Sequence, residues 1–152
     1  SSPSELFASG KLLGRPSAGR MSMFFYDPKF KQRLPYYDTF PLVLPLEPMR
    51  GGFIGLNFHY LPYGARFKFL QQLQRYSNNA KFDQSTKIQA SYSSIKSNKY
   101  TKVAIKRYLY SHVRSSFLRI NVDEMALAAY LPVAQFQGRS LGGVFAAARR
   151  NL

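Results

Sequence analysis

The sequence predicts an α+β fold: a small antiparallel sheet, with curling into an SH3-like barrel as one form open to it, and two to three helices. Three observations carry that reading. Short apolar runs stopped by Pro and Gly recur through the first 62 residues, as in strands joined by tight connections. Two later segments repeat apolar residues at three- and four-residue steps, as helices do. The chain is 45% hydrophobic over 152 residues, which is one domain by length and enough to bury a core.

Residues 1–20 (SSPSELFASGKLLGRPSAGR) are rich in Ser, Gly and Pro and read as a basic N-terminal arm, flexible when free, with Leu6-Phe7 and Leu12-Leu13 as its anchors. The first residue is Ser1, not Met, which reads as a processed end or a piece of a longer chain. The domain proper is expected over 21–138, and 139–152 is expected to be a basic tail. MSMFFYDP (21–28) reads as a strand stopped by Asp-Pro, since a residue before proline avoids the helical region. FKQRLPYYDTFP (30–41) reads as a loop. PLVLPLEP (41–48) is a second extended run; Pro45 lacks an N–H, so the run belongs at a sheet edge or carries a bulge. MRGG makes a turn, and GFIGLNFHYL (52–61) is the third strand, completing an antiparallel meander.

Pro62 opens a helix over 62–77, with Phe69, Leu70, Leu73 and Tyr76 on its apolar face. Residues 80–100 fit a strand or a short helix equally well. In 101–117 Ile105, Leu109, Val113 and Phe117 recur every four residues, which predicts the longest helix. FLRINV (117–122) reads as a fourth strand. Asn121 and Glu124 form a capping-box-like pair for a short helix near 123–131, closed by Pro132.

Charge narrows the partners. Twenty-two Lys and Arg face seven Asp and Glu, a net of +15. Such a surface repels itself and attracts polyanions. From Arg66 to Arg119 the sequence holds twelve bases (Arg66, Lys68, Arg75, Lys81, Lys87, Lys96, Lys99, Lys102, Lys106, Arg107, Arg114 and Arg119) and one acid, Asp83. A solvated helix face normally mixes signs, and this stretch does not. On the expected helix, Arg107, Tyr110 and Arg114 share a flank. The candidate DNA-binding residues are therefore Arg66, Lys68, Arg75, Lys96, Lys99, Lys102, Lys106, Arg107, Arg114 and Arg119. No base-reading motif accompanies them, so backbone contact weakened by salt is the expected mode. A subunit whose charge is neutralised inside a larger assembly is the plainer alternative.

Enzymatic chemistry finds few supports. There are no cysteines, which removes thiolate nucleophiles, thiolate metal sites and disulfides. No apolar run reaches the roughly 18 residues of a membrane span. The two histidines, His59 and His112, have no partner at ligand spacing, and no metal or cofactor is expected. A magnesium nuclease would need Asp27, Asp38 and Glu47 to converge. Asp27 and Asp38 sit in loop contexts, where Asp bonds nearby backbone, and Asp123 and Glu124 suit a helix start. His59 alternates with Asn57, Gly55 and Phe53 along its strand, opposite Ile54, Leu56, Phe58 and Tyr60. The second set is expected to meet the core, and Asn57 and His59 to bond across the sheet or to a loop. No catalytic residue is assigned.

The stretches MSMFFYDPK, LPYYDTFPLVLPLE, GGFIGLNFHYLP, KRYLYSHVRSSFLRIN and LPVAQFQ, in that order over residues 21–137, resemble the DNA end protector or head-completion family of contractile-tailed, T-even-related bacteriophages. The resemblance implies a non-enzymatic virion protein near the portal vertex that guards the ends of packaged linear DNA from exonucleases. It implies double-stranded DNA ends and portal, neck or tail proteins as partners, with an oligomer in the virion open and no membrane. It carries over no catalytic residues. An adaptor of the neck or tail with no direct DNA role is the runner-up.

Overall fold

The computed structural model describes residues 11–16, 20–77, 102–120, 128–129, 134–138, 140 and 143–144. Among these residues eight strands follow one another: β1 (Lys11–Leu13), β2 (Ser22–Met23), β3 (Tyr37–Asp38), β4 (Leu42–Met49), β5 (Gly52–Asn57), β6 (Ile105–Leu109), β7 (Phe117–Arg119) and β8 (Phe136–Gln137). Helix α1 (Tyr63–Ser77) stands between β5 and β6. Six strands form one sheet in the order β1-β7-β2-β4-β5-β6, and β3 pairs with β8 apart from it. Every pairing is antiparallel. The chain is thus α+β, with the expected meander of β2, β4 and β5.

Local chemistry explains the strands. β4 carries two prolines, yet it lies inside the sheet. Its pairing with β2 involves only Leu42 and Val43, so Pro45 and Pro48 fall beyond that ladder. The ladder with β5 shifts register between Pro45 and Glu47, which is the bulge that a proline invites. β5 ends at Asn57, where the chain tightens into a 3-10 turn (Phe58–Tyr60). Strand alternation therefore stops two residues before His59. Lys11–Leu13, inside the segment expected to be an arm, forms an edge strand on β7.

The helix expected over 101–117 does not form. Lys102–Ala104 is a 3-10 turn, Ile105–Leu109 is strand β6 against β5, Tyr110–His112 is another 3-10 turn, and Phe117 opens β7. Helix α1 matches its expectation and directs Phe69 and Leu70 into the core. Of the short helix near 123–131, Ala128 and Ala129 are described; both are helical and buried. The remainder of that helix, the segment 80–100 and most of the tail lie outside the described residues.

The sheet is buried on both faces. One face carries the main core, with Met23, Leu42, Leu44, Leu56 and Leu118 packed against Phe58, Phe69 and Leu70. The other holds an aromatic cluster of Phe24, Tyr26, Val43, Phe53, Tyr108 and Phe117. β4 and β2 separate β5 from β7, about 14 Å across a flat sheet. The rings of Phe53 and Phe117 nevertheless lie 6.1 Å apart. Phe24 fills the space between, 6.0 Å from Phe53, 5.3 Å from Tyr108 and 4.8 Å from Phe117. The sheet is curled around this cluster but open: β1 and β6 are its outer strands, so the described strands do not close an SH3-like barrel.

Candidate nucleic-acid interface

Two arrangements of polar residues stand out, one buried and one exposed. The buried one centres on Asp38, at the end of β3. Its Oδ1 accepts from the backbone N–H groups of Phe40 at 3.0 Å and Gln135 at 3.2 Å. Its Oδ2 accepts from Asn57 Nδ2 at 3.1 Å and meets His59 Nδ1 at 2.7 Å. These four partners use the acceptor capacity of a carboxylate in full. Asn57 Oδ1 in turn accepts from the His59 N–H at 3.0 Å and so caps the 3-10 turn. The Asn57 side chain also bonds the hydroxyl of Tyr108, whose pKa burial pushes up.

Burial by itself would raise the Asp38 carboxyl. The adjacent His59 ring, with the hydrogen bonds from His59, Phe40 and Asn57, outweighs that and holds it below the usual carboxylate range. Asp38 and His59 are sealed from solvent. His59 Nε2 is buried and has no hydrogen-bond partner among the described residues. With its ring enclosed, His59 clasps the β3 loop to the end of β5. Bonding to a loop is what the sequence reading expected of Asn57 and His59.

Arg66 belongs to the same interior. It is 1% exposed. Its Nε donates to the carbonyl of Leu61, Nη1 to Ala129 and Nη2 to His59. The guanidinium also lies 4.6 Å from the ring centroid of Tyr63. This arginine ties α1 to the 3-10 turn and to Ala129, which corrects its place in the candidate phosphate-binding set. Its basic charge alone does not separate such a residue from a surface arginine.

The other predicted site residues are dispersed. Lys68 on α1, Lys102, Arg107 and Arg114 are exposed. Arg107 stands on β6 on the face opposite Tyr108, so it points away from the aromatic cluster. Arg114 lies beyond the 3-10 turn Tyr110–His112, donating to Ser111 O at 2.7 Å. Strand geometry therefore removes the shared helical flank expected for Arg107, Tyr110 and Arg114. Lys106 is half-buried, with Nζ 4.2 Å from the Tyr60 ring centroid, and desolvation lowers its pKa. Arg119 is half-buried on β7, its Nε without a partner among the described residues. Arg75 lies in the last turn of α1. Lys96 and Lys99 fall outside the described residues.

Sequence reasoning missed a second set of cations. Lys29, Lys31 and Arg33 are exposed on the loop between β2 and β3, and Arg15, Arg20 and Arg50 are exposed as well. Arg15 lies 4.7 Å from the Tyr110 ring centroid. The signal lies in PKFKQR, whose three bases flank an aromatic, but the run after Arg66 is denser in bases and masks it. Among the described residues the acids that reach solvent are Asp27 and Glu47. Asp27 is held by Lys31 at 2.9 Å and approached by Arg114 at 3.7 Å. Asp27 and Asp38 are thus engaged separately, Glu47 is exposed on β4, and no group of three His, Cys, Asp or Glu among the described residues is placed to hold a metal. Among those residues, too, no helix is long and apolar enough to cross a membrane.

An interior that locks Asp38 and Arg66 among partners, inside an exterior whose described charges are mostly cationic, defines a class: small basic α+β proteins whose surface suits a polyanion. Within that class the chain belongs to a phage family, for residues 7–150 match the one described as Phage T4 terminal DNA protecting protein. Neither a curated relative nor a solved structure matches the chain. By its description the family's role is the protection of DNA ends in phage.

Proposed function

We propose that this protein is a non-enzymatic virion component that binds the ends of packaged linear DNA near the portal vertex and blocks exonucleases by its bulk. The observation that carries the reading is the sign of the exterior: solvated Arg15, Arg20, Lys29, Arg33, Arg50, Lys68, Lys102, Arg107 and Arg114, with Asp27 and Glu47 as the described acids among them. Phosphate contacts of that kind hold a duplex without reading its bases. Steric capping requires no turnover, which suits a family described by protection. Lys96, Lys99 and Arg75 remain proposed contributors, and portal, neck or tail proteins remain proposed neighbours, with oligomerisation among them.

The test is exonuclease digestion of linear duplex DNA with the protein bound, at two salt concentrations, with a covalently closed circle as competitor. Protection that the circle barely competes away is the expected result. Equal competition would reduce the activity to general backbone binding. Absence of binding at low salt would leave the neck or tail adaptor, and magnesium-dependent cutting would reinstate a nuclease.

A further inference from the structure

The loop Asp27–Pro35 (DPKFKQRLP) carries an aromatic that the fold does not use. Phe30 is 55% exposed, whereas Phe24, Phe40, Phe53, Phe58, Phe69 and Phe117 are buried. Phe30 stands at the tip of a built turn. Arg33 N–H donates to Phe30 O at 2.9 Å and Leu34 N–H to Lys31 O at 3.3 Å. The loop's root is fixed to the sheet end at several points. Tyr26 N–H donates to Thr39 O at 3.1 Å, Asp27 N–H donates to His112 O at 3.0 Å, and Lys31 bonds the Asp27 carboxylate at 2.9 Å. The ring is therefore presented on a braced turn.

Its neighbours are cations. Lys29 Nζ lies 5.2 Å and the Arg33 guanidinium carbon 5.4 Å from the ring centroid. Asp27 occupies Lys31, while Lys29 and Arg33 form no ion pair among the described residues. Both cations lie over the ring, so a partner that draws them off with anionic groups at its rim bares a face of Phe30 to a flat π surface. A stacked base pair with its flanking phosphates has that chemistry. Inside a duplex both faces of every pair are already covered by neighbours; only the outermost pair leaves one face bare.

We infer that Phe30 stacks on the terminal base pair of a duplex end while Lys29 and Arg33 contact the phosphates beside it. The inference rests on the DNA-end reading above and supplies its specificity: the exposed cations elsewhere bind any duplex, and this loop distinguishes an end.

The experiment measures binding of the full chain to a blunt duplex and to a dumbbell of the same stem closed by hairpin loops at both ends. Variants are Phe30→Ala, Phe30→Tyr and the pair Lys29→Gln/Arg33→Gln, each checked for an unchanged melting temperature, as an exposed loop position allows. Phe30→Ala is expected to lose about tenfold affinity for the blunt duplex and none for the dumbbell. Phe30→Tyr is expected to keep the preference, and the double variant to weaken it. An equal loss on both DNAs would make Phe30 a wedge between interior base steps and overturn the inference. An end preference that survives Phe30→Ala would overturn it while leaving the end-binding function standing. Wild-type protein that binds neither DNA would overturn both readings.

Discussion

At the scale of single residues, Asp38 has the largest consequence. It joins its own loop, β5, the 3-10 turn and the backbone at Gln135 through one carboxylate. A depressed folded-state pKa means that ionised Asp38 stabilises the fold at pH values above the ordinary carboxylate value of about 4. That contribution is lost as pH falls through the lower, folded-state value. Asp38→Asn is expected to cost about 3–5 kcal/mol at pH 7, because it leaves donors facing a neutral amide in a sealed site. The variant's stability should also fall less steeply between pH 5 and pH 2 than that of the wild type. Urea midpoints across that range measure both effects, with Asp27→Asn as the control for the other depressed carboxylate. Equal pH slopes in Asp38→Asn and wild type would contradict the ionised clasp. The partners Asn57 and His59 were legible as residues that bond away from their strand. Asp38 was not, because a loop aspartate beside Thr39 and Phe40 reads as an ordinary turn residue, and its carboxylate meets β5 only after the chain folds.

At the scale of elements, the strands β5 and β6 show both what patterning reveals and where it fails. Ile105, Leu109, Val113 and Phe117 are four residues apart, a step that completes a helical turn and overshoots it by about 40°. The same step is even, so it equally keeps one face of a strand. The apolar stripe could not distinguish the two, and Val103, Ile105, Tyr108, Tyr110 and Val113 supply the β-branched and aromatic content that favours a strand. Pairing with β5 decides the matter, since Gly52 lets β6 approach closely. A Cβ at Gly52 would sit 1.9 Å from Tyr108 O, which is backbone and cannot swing aside. Gly52→Ala is therefore expected to destabilise by more than about 2 kcal/mol, as a clash within a ladder does. Gly64, in the first turn of α1, meets nothing within 4 Å of its would-be Cβ. Gly64→Ala is expected to stabilise by about 0.5–1 kcal/mol through the unfolded chain. Thermal melts of the two variants make the comparison, and a neutral Gly52→Ala would refute the close β5–β6 packing. Elements with a single interpretation, such as α1 behind Pro62 and β5 after its Gly-Gly turn, were legible because no second period fits them.

At the scale of the whole molecule, charge and fold were separately legible but their combination was not. The total of +15 announced a polyanion partner, while the sequence could not say which cations the fold would consume. Arg66 goes inside to satisfy three carbonyls, and Lys106 is half-covered over Tyr60. Removing charge at those positions would test folding rather than binding. Lys102 and Arg107 are exposed, so they isolate the electrostatic part. Phosphate contact releases condensed counterions, and log K falls with log salt at about 0.9 per contact. If both residues touch phosphate, Lys102→Gln/Arg107→Gln should flatten that slope by about 2 and weaken closed and open DNA alike. Its melting temperature should stay near that of the wild type, since neither side chain holds the core. Affinities over 50–200 mM salt on the dumbbell and blunt duplexes give the slopes. An unchanged slope would move the phosphate track off the β6 side of the sheet and toward Arg15, Arg20 and Arg50. A flattened slope with the end preference intact would separate the two tasks physically: long-range charge gathers the DNA, and a local aromatic contact selects its end.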